Sequence, residues 1–177
     1  FQRSEMEKIR NIVFFGDGNC PEGSNLYQKA ELAGYLVASR GINVVTGGYA
    51  GIMDACLKGA IPFGVERIAV VARTYRKIIS TYATKIIEVE NYLERLDKLI
   101  SIGDAFIIFE GGTGTLLELT TLWALGDRGF VSKPVFCIDS YWERIINCLE
   151  NTSIKFNSAH SIFTFLDNVE ELKKLPF

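Results

Sequence analysis

The residues with the clearest capacity for chemistry lie in a glycine-rich turn that runs into a leucine-rich helix, FEGGTGTLLEL at residues 109–119. Glycines before a helix let backbone N–H groups approach an anion closely, and the helix start adds a partial positive charge. Two threonines add hydroxyl donors beside that backbone. The turn therefore predicts a phosphate-binding site built from Gly111, Gly112, Thr113, Gly114 and Thr115.

Glu118, three residues beyond Thr115, has two interpretations. The pair has the spacing of a capping box, in which both side chains accept hydrogen bonds from free backbone N–H groups at a helix start. In the other interpretation, the Glu118 carboxylate projects from the same helix face as Thr115, beside the predicted anion, and acts on a ligand. The local sequence alone favours the capping box, with a helix that begins at Thr115.

Two further glycine-containing turns follow other apolar runs. Gly16 ends the run NIVFFG, and the turn TGGYAG contains the hydroxyl of Thr46 and the glycines Gly47, Gly48 and Gly51. Neither TGGYAG nor EGGTGT is followed by the Gly-Lys-Ser/Thr of a P-loop, and GTGTLL lacks the final glycine of the dinucleotide fingerprint. ATP hydrolysis and NAD binding therefore lose support. Two such turns in one sheet favour a phosphorylated ligand.

Arg95 lies in a helical segment, residues 91–101, that precedes the strand before Gly111. Its neighbours are charged, and Glu94 and Lys98 have the i,i+4 spacing of a solvent-exposed ion pair. The apolar face of this helix is predicted to consist of Leu93, Leu96, Leu99 and Ile100. Periodicity alone therefore predicts that Arg95 is an exposed helix charge.

The elements that must position these residues alternate along the chain. Short apolar runs, typical of strands covered on both faces, occupy residues 11–16, 42–46, 67–72, 85–89, 105–109 and 134–138, with a last short strand at 161–168. Helical spacing occupies residues 24–40, 52–60, 91–101, 115–125 and 141–150, and a terminal helix is expected after residue 168. This alternation predicts an α/β fold, a Rossmann-like doubly wound parallel sheet with helices on both faces. The glycine turns are then expected to converge at the carboxyl ends of the strands.

Composition limits the classes of function. The 177 residues, 48% of them hydrophobic, predict a single domain over residues 1–177, with residues 1–10 as a flexible or trimmed segment. The formal net charge of −2 argues against nucleic acid as a partner. No apolar run approaches a membrane span and no metal-ligand spacing occurs, so neither a membrane partner, a metal nor another cofactor is expected. Four cysteines without CxxC pairing are typical of buried thiols in a reducing cytoplasm.

Taken together, TGGYAGIMDACLKGA, YLERLDKL and FEGGTGTLLEL resemble the Lonely Guy family, long mislabelled as possible lysine decarboxylases. That family carries a GGxxGxM turn and a PGGxGTxxE turn on a Rossmann-like dimer, and the resemblance covers about residues 11–150. It implies a phosphoribohydrolase, which cleaves the N-glycosidic bond of a nucleoside 5′-monophosphate to give free base and ribose 5-phosphate. The implied partners are a phosphorylated small molecule and a second copy of the chain.

The resemblance also assigns residues to the site. Gly47, Gly48, Gly51 and Met53 match the GGxxGxM turn, and Gly111, Gly112, Gly114, Thr115 and Glu118 match the PGGxGTxxE turn. Arg95 falls where the family keeps its catalytic arginine, so the resemblance reverses both local interpretations. Glu118 would stabilise positive charge on the ribose ring and orient water, while Arg95 would hold the ribose hydroxyls, the phosphate or the departing base.

Three positions depart from the family pattern. Glu110 stands where proline is usual, Leu96 where many members have lysine, and Asp17 where serine often follows the first glycine. Asp17 and Glu110 add negative charge near the predicted phosphate, unless Glu110 turns to solvent or pairs with an arginine such as Arg73. The pocket for the base is expected to come from loops such as residues 73–84.

Other functions stay open at this point. A non-catalytic carrier of a nucleotide or of molybdenum cofactor could use the same scaffold, and the glycine turns of an oligomer could merely pack helices. Lysine decarboxylation is not expected, because it needs pyridoxal phosphate on a Schiff-base lysine and no lysine has that context. Leu119, Leu122 and Trp123 are candidates for a contact between two copies of the chain.

Overall fold

The computed structural model describes residues 8–152 and 159–177, so residues 1–7 of the predicted N-terminal segment lie outside it. Within the described ranges, seven strands form one sheet in the order β4-β3-β2-β1-β5-β6-β7, with every neighbouring pair parallel. The strands are β1 Asn11–Phe15, β2 Asn43–Thr46, β3 Arg67–Ala72, β4 Lys85–Val89, β5 Ala105–Ile108, β6 Val135–Ile138 and β7 Phe163–Leu166. The predicted parallel sheet is confirmed.

The helices alternate with the strands as predicted. They are α1 Asn25–Ala38, α2 Ile52–Gly59, α3 Tyr92–Ile102, α4 Thr113–Asp127 and α5 Tyr141–Glu150. Ser24 and Asn91 begin α1 and α3 because their side chains accept backbone N–H groups of the first turn. The terminal helix is a 3-10 helix, Val169–Lys174, and a shorter one spans Ala159–Ser161.

Helices cover both faces of the sheet. The α1 and α2 helices pack with the terminal 3-10 helix on one face, and α3, α4 and α5 pack on the other. Alternate side chains of β1 serve the two faces: Ile12 and Phe14 join the first core, and Val13 and Phe15 join the second. The doubly wound Rossmann-like architecture is therefore confirmed.

The edge strand β4 differs from the prediction of strands covered on both faces. Lys85 and Glu88 are exposed, and the Ile86 side chain is 55% exposed. The connection from β3 to β4, residues 73–84, contains no helix, so no crossover helix is available to cover this edge. Instead, part of that connection reaches over the carboxyl ends of the strands.

The glycine turns converge where the strand order reverses. The chain builds outward from β1 to β4 and then returns to place β5 on the other side of β1, which creates the usual ligand-binding crevice of such sheets. The backbone of Asp17, after β1, joins the other two turns. Its N–H donates to the Glu110 carbonyl at 3.0 Å, and its carbonyl accepts the Ile52 N–H at 2.9 Å. The predicted convergence is confirmed.

The start of α4 decides between the two interpretations of Glu118. The helix begins at Thr113, two residues earlier than predicted, and its N-cap is Gly112, which has no side chain to accept a hydrogen bond. Thr115 is thus the third helical residue and Glu118 the sixth. The capping-box interpretation is wrong, because both side chains lie beyond the position of the cap.

Two predictions about α3 are also wrong. Leu93, expected on the apolar face, is 68% exposed, whereas Arg95, expected in solvent, is only 3% exposed. The buried stripe contains Arg95, Leu96, Leu99 and Ile100, whose spacing follows one helix face, with Tyr92 partly buried beside it. The stripe is therefore rotated relative to the one that the leucines suggested.

Several smaller expectations concern the described residues only. None of their helices combines the length and apolar character of a membrane span, and no group of three or more His, Cys, Asp or Glu residues is arranged to hold a metal ion. Cys20, Cys56 and Cys137 are buried thiols, as predicted. Cys148 on α5 is exposed, so the prediction is wrong at that position.

Candidate active site

A cavity of about 920 Å³ lies at the carboxyl ends of β1, β2 and β5, within the range of roughly 300–1,000 Å³ that is usual for small-molecule sites. The glycine turns, residues 75–78 of the β3–β4 connection, and side chains of α3 and α4 form its wall. The predicted site residues that line this cavity are Gly16, Gly47, Met53, Arg95, Gly112, Thr113, Gly114, Thr115 and Glu118. The fold thus brings together residues from both glycine-rich motifs and from the arginine-bearing helix.

Four other predicted residues, Thr46, Gly48, Gly51 and Gly111, are not part of the cavity wall. The Thr46 hydroxyl accepts the N–H of Gly48 at 3.0 Å. This bond holds the shape of the TGGYAG turn, residues 46–51, which is the second glycine turn along the chain. Gly51 has a φ of +67°, and a Cβ atom there would collide with the carbonyl of Asp17. These residues shape the backbone that other residues present to the cavity.

The first turn of α4 is open to an anion. Its first backbone acceptor is the Gly112 carbonyl, which receives the N–H of Leu116 at 2.9 Å. The N–H groups of Thr113, Gly114 and Thr115 precede that bond, so they have no acceptor within the helix. All three residues line the cavity. This helix start can therefore bind a phosphate through backbone donors and the helix dipole.

Glu118 lies on the buried stripe of α4 and reaches the cavity from one turn deeper in the helix. Its side chain is 9% exposed, and burial raises the pKa of its carboxyl from about 4.5 to about 8, while the positive charge of Arg95 opposes that rise. Among the residues that the structure describes, no ion pair within 4.0 Å joins Arg95 to Glu118. The carboxyl is thus poised to change its protonation near neutral pH.

Arg95 enters the cavity from α3 on the opposite side. Its Nε donates to the Val70 carbonyl at 2.9 Å, and its Nη2 lies 3.5 Å from the Sδ of Met53. A Cβ atom on Gly47 would overlap Nη2, so only glycine at this position lets the guanidinium take its place. Gly47 therefore leaves the space that the Arg95 side chain occupies.

The three departures from the family pattern have different settings. Asp17 lines the cavity, and its Oδ1 accepts the N–H of Asn19 at 2.9 Å. Glu110 turns to solvent, as one of the two alternatives predicted, while Arg73 pairs with other carboxylates on and after β4. Leu96 is buried in the core beneath α3. Only Asp17 therefore adds an acidic side chain to the cavity itself.

The sequence arguments missed three tyrosines that line the cavity, Tyr49, Tyr75 and Tyr92. Tyr49 lies inside the TGGYAG turn, and Tyr92 precedes Arg95 by three residues on one helix face. Both positions could therefore have been recognised in the sequence as neighbours of predicted site residues. Tyr75 lies in a connection without periodicity. Arg76 and Lys77 of the same connection also line the cavity and are exposed.

Comparison with known proteins places the chain in a family. The sequence profile of the family described as "Possible lysine decarboxylase" matches residues 53–175, which include Met53, Arg95 and the whole of the Gly111–Glu118 motif. The chain belongs to this family. The resemblance to Lonely Guy proteins that the motifs indicated is thereby confirmed.

Two relatives carry the name of the same enzyme. The cytokinin riboside 5′-monophosphate phosphoribohydrolase of Mycobacterium tuberculosis is 28% identical over 162 residues, or 85% of each chain. The enzyme of the same name from Arabidopsis thaliana, LOG5, is 29% identical over 171 residues, which are 92% of this chain and 75% of the relative.

A solved structure supports the fold. The molybdenum cofactor binding protein of Rippkaea orientalis superposes with a TM-score of 0.72 over 95% of each chain, at 20% identity. At that identity the likeness concerns the family fold alone.

Proposed function

We propose that this protein is a phosphoribohydrolase that cleaves the N-glycosidic bond of a purine nucleoside 5′-monophosphate to free base and ribose 5-phosphate. One observation carries the proposal: the buried carboxyl of Glu118 and the buried guanidinium of Arg95 share a cavity with the free helix start of α4. The names of the relatives support the same reaction.

The helix start supplies the anchor for the substrate. In our proposal the 5′-phosphate accepts hydrogen bonds from the N–H groups of Thr113, Gly114 and Thr115, with the Thr113 hydroxyl as a further donor. Glu118 lies three residues beyond Thr115 on the same helix face. A phosphate held at the first turn therefore places the attached ribose next to the carboxyl group.

Glu118 then acts on the ribose ring. As the C–N bond breaks, its electron pair leaves with the base and positive charge develops on the ribose, which an ionised carboxylate stabilises. A water oxygen forms the new bond to the anomeric carbon, and Glu118 accepts a proton from that water. The departing base takes up one proton from solvent, and Glu118 returns one proton to solvent, so one water is consumed for each bond broken. The developing positive charge also favours ionisation of a carboxyl whose pKa burial has raised to about 8.

Arg95 is the second catalytic residue of the proposal. Its guanidinium is planar, carries five donors and keeps its charge at any relevant pH, so it can bind oxygen atoms of the substrate in a defined orientation. The contact with Val70 and the space above Gly47 direct it into the cavity from the side of β2 and β3. A lysine decarboxylase would instead need a buried Schiff-base lysine, and the lysine that lines the cavity, Lys77, is exposed.

The direct test is product analysis with purified protein. Incubation with AMP, and with cytokinin riboside 5′-monophosphates as the relatives' name suggests, should release free base and ribose 5-phosphate in equal amounts. Glu118→Gln should lower turnover at least about a hundredfold. Glu110→Gln, which removes an exposed carboxylate eight residues away outside the cavity, is the matched control and should leave turnover unchanged.

Binding without turnover would point to a carrier instead. If calorimetry detects these nucleotides but no base is released across the panel, the hydrolase proposal is wrong and a nucleotide or molybdenum cofactor carrier is favoured. If neither binding nor turnover occurs, the glycine turns serve packing alone.

We also propose that the protein is a homodimer in a reducing, cytoplasmic compartment. Leu119, Leu122 and Trp123, the predicted contact residues, are buried in the protomer's own core, so a second copy would have to cover others. Leu93 on α3 and Leu116 on α4 remain exposed on the same face of the sheet. The four cysteines are free thiols, which suits a reducing compartment. Analytical ultracentrifugation should give a dimer that Leu93→Lys with Leu116→Lys converts to monomer; a monomeric wild type contradicts the proposal.

A further inference from the structure

Arg95 is a buried charge that has no carboxylate within 4.0 Å in the described part of the chain, although it interacts over a longer distance with Glu118. Buried guanidinium groups are normally held by carboxylates, because an unpaired charge in the interior is costly. The ion pairs within 4.0 Å among the described residues involve Lys29, Lys58, Arg73 and Lys85, and Arg95 is in none of them. Its Nε donates to the Val70 carbonyl, and its Nη2 donates to the weakly accepting Sδ of Met53 at 3.5 Å. Neither of these neutral acceptors is a charged partner.

Two tyrosine rings meet the guanidinium. The Cζ atom of Arg95 lies 5.2 Å from the ring centroid of Tyr49 and 5.3 Å from that of Tyr92. Both distances are within the range of about 6 Å in which a cation is attracted by the face of an aromatic ring. Tyr49 comes from the turn after β2, whereas Tyr92 comes from the first turn of α3. Two separate elements thus contact the same charged group.

The two rings are themselves fixed. Tyr75 meets each of them nearly edge-on, with centroid distances of 5.2 Å to Tyr49 and 5.6 Å to Tyr92. The Tyr49 hydroxyl also accepts the N–H of Ala72 at 3.1 Å, which ties the ring to the end of β3. We call Tyr49, Tyr75 and Tyr92 the tyrosine cluster. Its rings contact one another, and two of them contact one side chain, that of Arg95.

We propose that Tyr49 and Tyr92 are positioning residues that hold Arg95 by their ring faces in place of a carboxylate. A carboxylate would orient the guanidinium but would also neutralise it before the substrate arrives. Aromatic rings orient a cation and leave its net charge available for an anionic ligand. The inference rests on the proposed function, since it assigns a purpose to the free charge of Arg95 in that reaction.

Tyr92 offers the cleaner test of the two positions. Its hydroxyl interacts with Arg95 and lies beside the first turn of α4, where a Cβ atom on Gly114 would be 3.1 Å from it. The hydroxyl and the ring are therefore removed in separate variants. Tyr92→Phe keeps the ring face, and Tyr92→Leu removes it. Tyr49→Phe is less informative, because it also leaves the N–H of Ala72 without its acceptor.

The kinetic experiment compares these variants on a nucleotide that the wild type hydrolyses. The kcat of Tyr92→Leu should fall about tenfold, and that of Tyr92→Phe should stay within about threefold of wild type, as expected for the loss or retention of one ring contact. Tyr35→Leu, the same change on the opposite face of the sheet, should leave kcat unchanged. Equal kcat values for Phe and Leu variants, whether both normal or both reduced, contradict the ring-face role. Tyr92→Met replaces the Leu variant if that variant does not fold.

A second readout does not depend on turnover. The Nε–Hε group of Arg95, assigned in an NMR spectrum by its loss in Arg95→Lys, should show a ring-current shift in wild type and in Tyr92→Phe. Tyr92→Leu should lose the part of that shift that comes from the Tyr92 ring, while the parts that come from Tyr49 and from the Val70 hydrogen bond remain. A shift that stays the same in the Leu variant contradicts the proposal even if the protein proves to be inactive. Absence of turnover in wild type with the expected NMR result would instead reject the hydrolase proposal alone.

Discussion

The Nη2 atom of Arg95 occupies the space that a Cβ atom on Gly47 would fill. The Sδ atom of Met53 closes the same space from another side. The glycine at position 47 is therefore explained by the approach of the Arg95 side chain rather than by backbone torsion, since Gly47 has no positive φ.

The first prediction concerns Gly47→Ala. The added methyl group must displace the guanidinium or the turn, so we expect kcat/KM to fall at least about tenfold and stability to fall by about 1–3 kcal/mol. Gly64→Ala is the matched control, because no atom lies within 4 Å of the position of its Cβ. Steady-state kinetics and thermal unfolding of both variants measure the two effects. Normal activity of Gly47→Ala would show that Arg95 is not needed in this position.

The second prediction concerns the pH dependence of activity. Because burial raises the pKa of Glu118 to about 8 and the reaction needs the ionised carboxylate, kcat/KM should rise with pH and level off above about pH 8. Below that point the ionised fraction, and with it kcat/KM, should fall up to tenfold per pH unit. Rates measured from about pH 6.5 to 9.5 check this. A kcat/KM that declines through pH 8 would mean that the protonated form is the active one.

The third prediction concerns the pH dependence of stability. Folded Glu118 holds its proton up to about pH 8, whereas the unfolded chain releases it near its ordinary value of about 4.5, so the free energy of unfolding should decrease between these values as pH rises. Glu118→Gln removes this contribution to the pH dependence of the free energy of unfolding, because an amide does not titrate. The melting temperature of the Gln variant relative to wild type should therefore be higher at pH 8.5 than at pH 5, by at least about 2 °C. The same difference in melting temperature between Glu118→Gln and wild type at both pH values would contradict the burial of this carboxyl.

The fourth prediction concerns residues 73–84, which supply part of the cavity wall. The Ser80 hydroxyl donates to Asp54 Oδ1 at 2.5 Å, and the Ser80 N–H donates to the Gly48 carbonyl at 2.8 Å, so the connection is tied to α2 and to the second turn. Ser80→Ala removes the bond to Asp54, together with the longer one that the hydroxyl oxygen accepts from the Tyr82 N–H at 3.3 Å, and keeps the backbone bond to Gly48. We expect KM to rise about threefold to tenfold with a smaller change in kcat, as suits the loss of one charged hydrogen bond.

The control for Ser80 uses the same carboxylate. Tyr27→Phe removes the other hydrogen bond to Asp54, 2.7 Å from the Tyr27 hydroxyl to Oδ2, and leaves Ser80 in contact. Its KM should change less than that of Ser80→Ala. Hydrogen exchange of residues 73–84 should also increase in Ser80→Ala but not in Tyr27→Phe. Equal exchange in these two variants and in wild type would show that the Ser80–Asp54 hydrogen bond does not hold this connection in place.

The fifth prediction tests the helix start of α4 through the substrate. If the N–H groups of Thr113, Gly114 and Thr115 bind the 5′-phosphate, adenosine should be hydrolysed at least about a hundredfold less efficiently than AMP, because remote binding energy is lost. Ribose 5-phosphate should inhibit competitively, whereas ribose should not. Comparable kcat/KM values for adenosine and AMP would place the phosphate elsewhere.

Much of the fold could be predicted from local sequence. The β3 and β4 strands and the helix α5 have the predicted bounds, because the apolar runs of the strands are flanked by charged or polar residues and the helical spacing of α5 lies between Ser140 and Asn151. The start of α4 was misplaced because Thr113 and Gly114 look like loop residues, although glycine tolerates a helix interior at a modest cost.

The candidate site was harder to predict from local sequence. Arg95 and Glu118 lie on stripes whose other members are mostly apolar, but charged side chains are rarely buried, so their local context favoured solvent and a capping box. Their placement in the cavity was expected only because the motifs resembled a known family. The tyrosine cluster, from three elements separated along the chain, was not expected at all.

By itself the sequence determined the parallel sheet, the helices on both faces and the convergence of glycine turns at one edge. These features follow from backbone conformation and from the apolar faces of each element, which are local properties of the chain. Only the tertiary structure decided that Arg95 lies between Tyr49 and Tyr92 and that Glu118 faces the same cavity with a raised pKa. The surroundings of a charge depend on side chains that several distant elements bring together, and that arrangement exists only once the elements have packed.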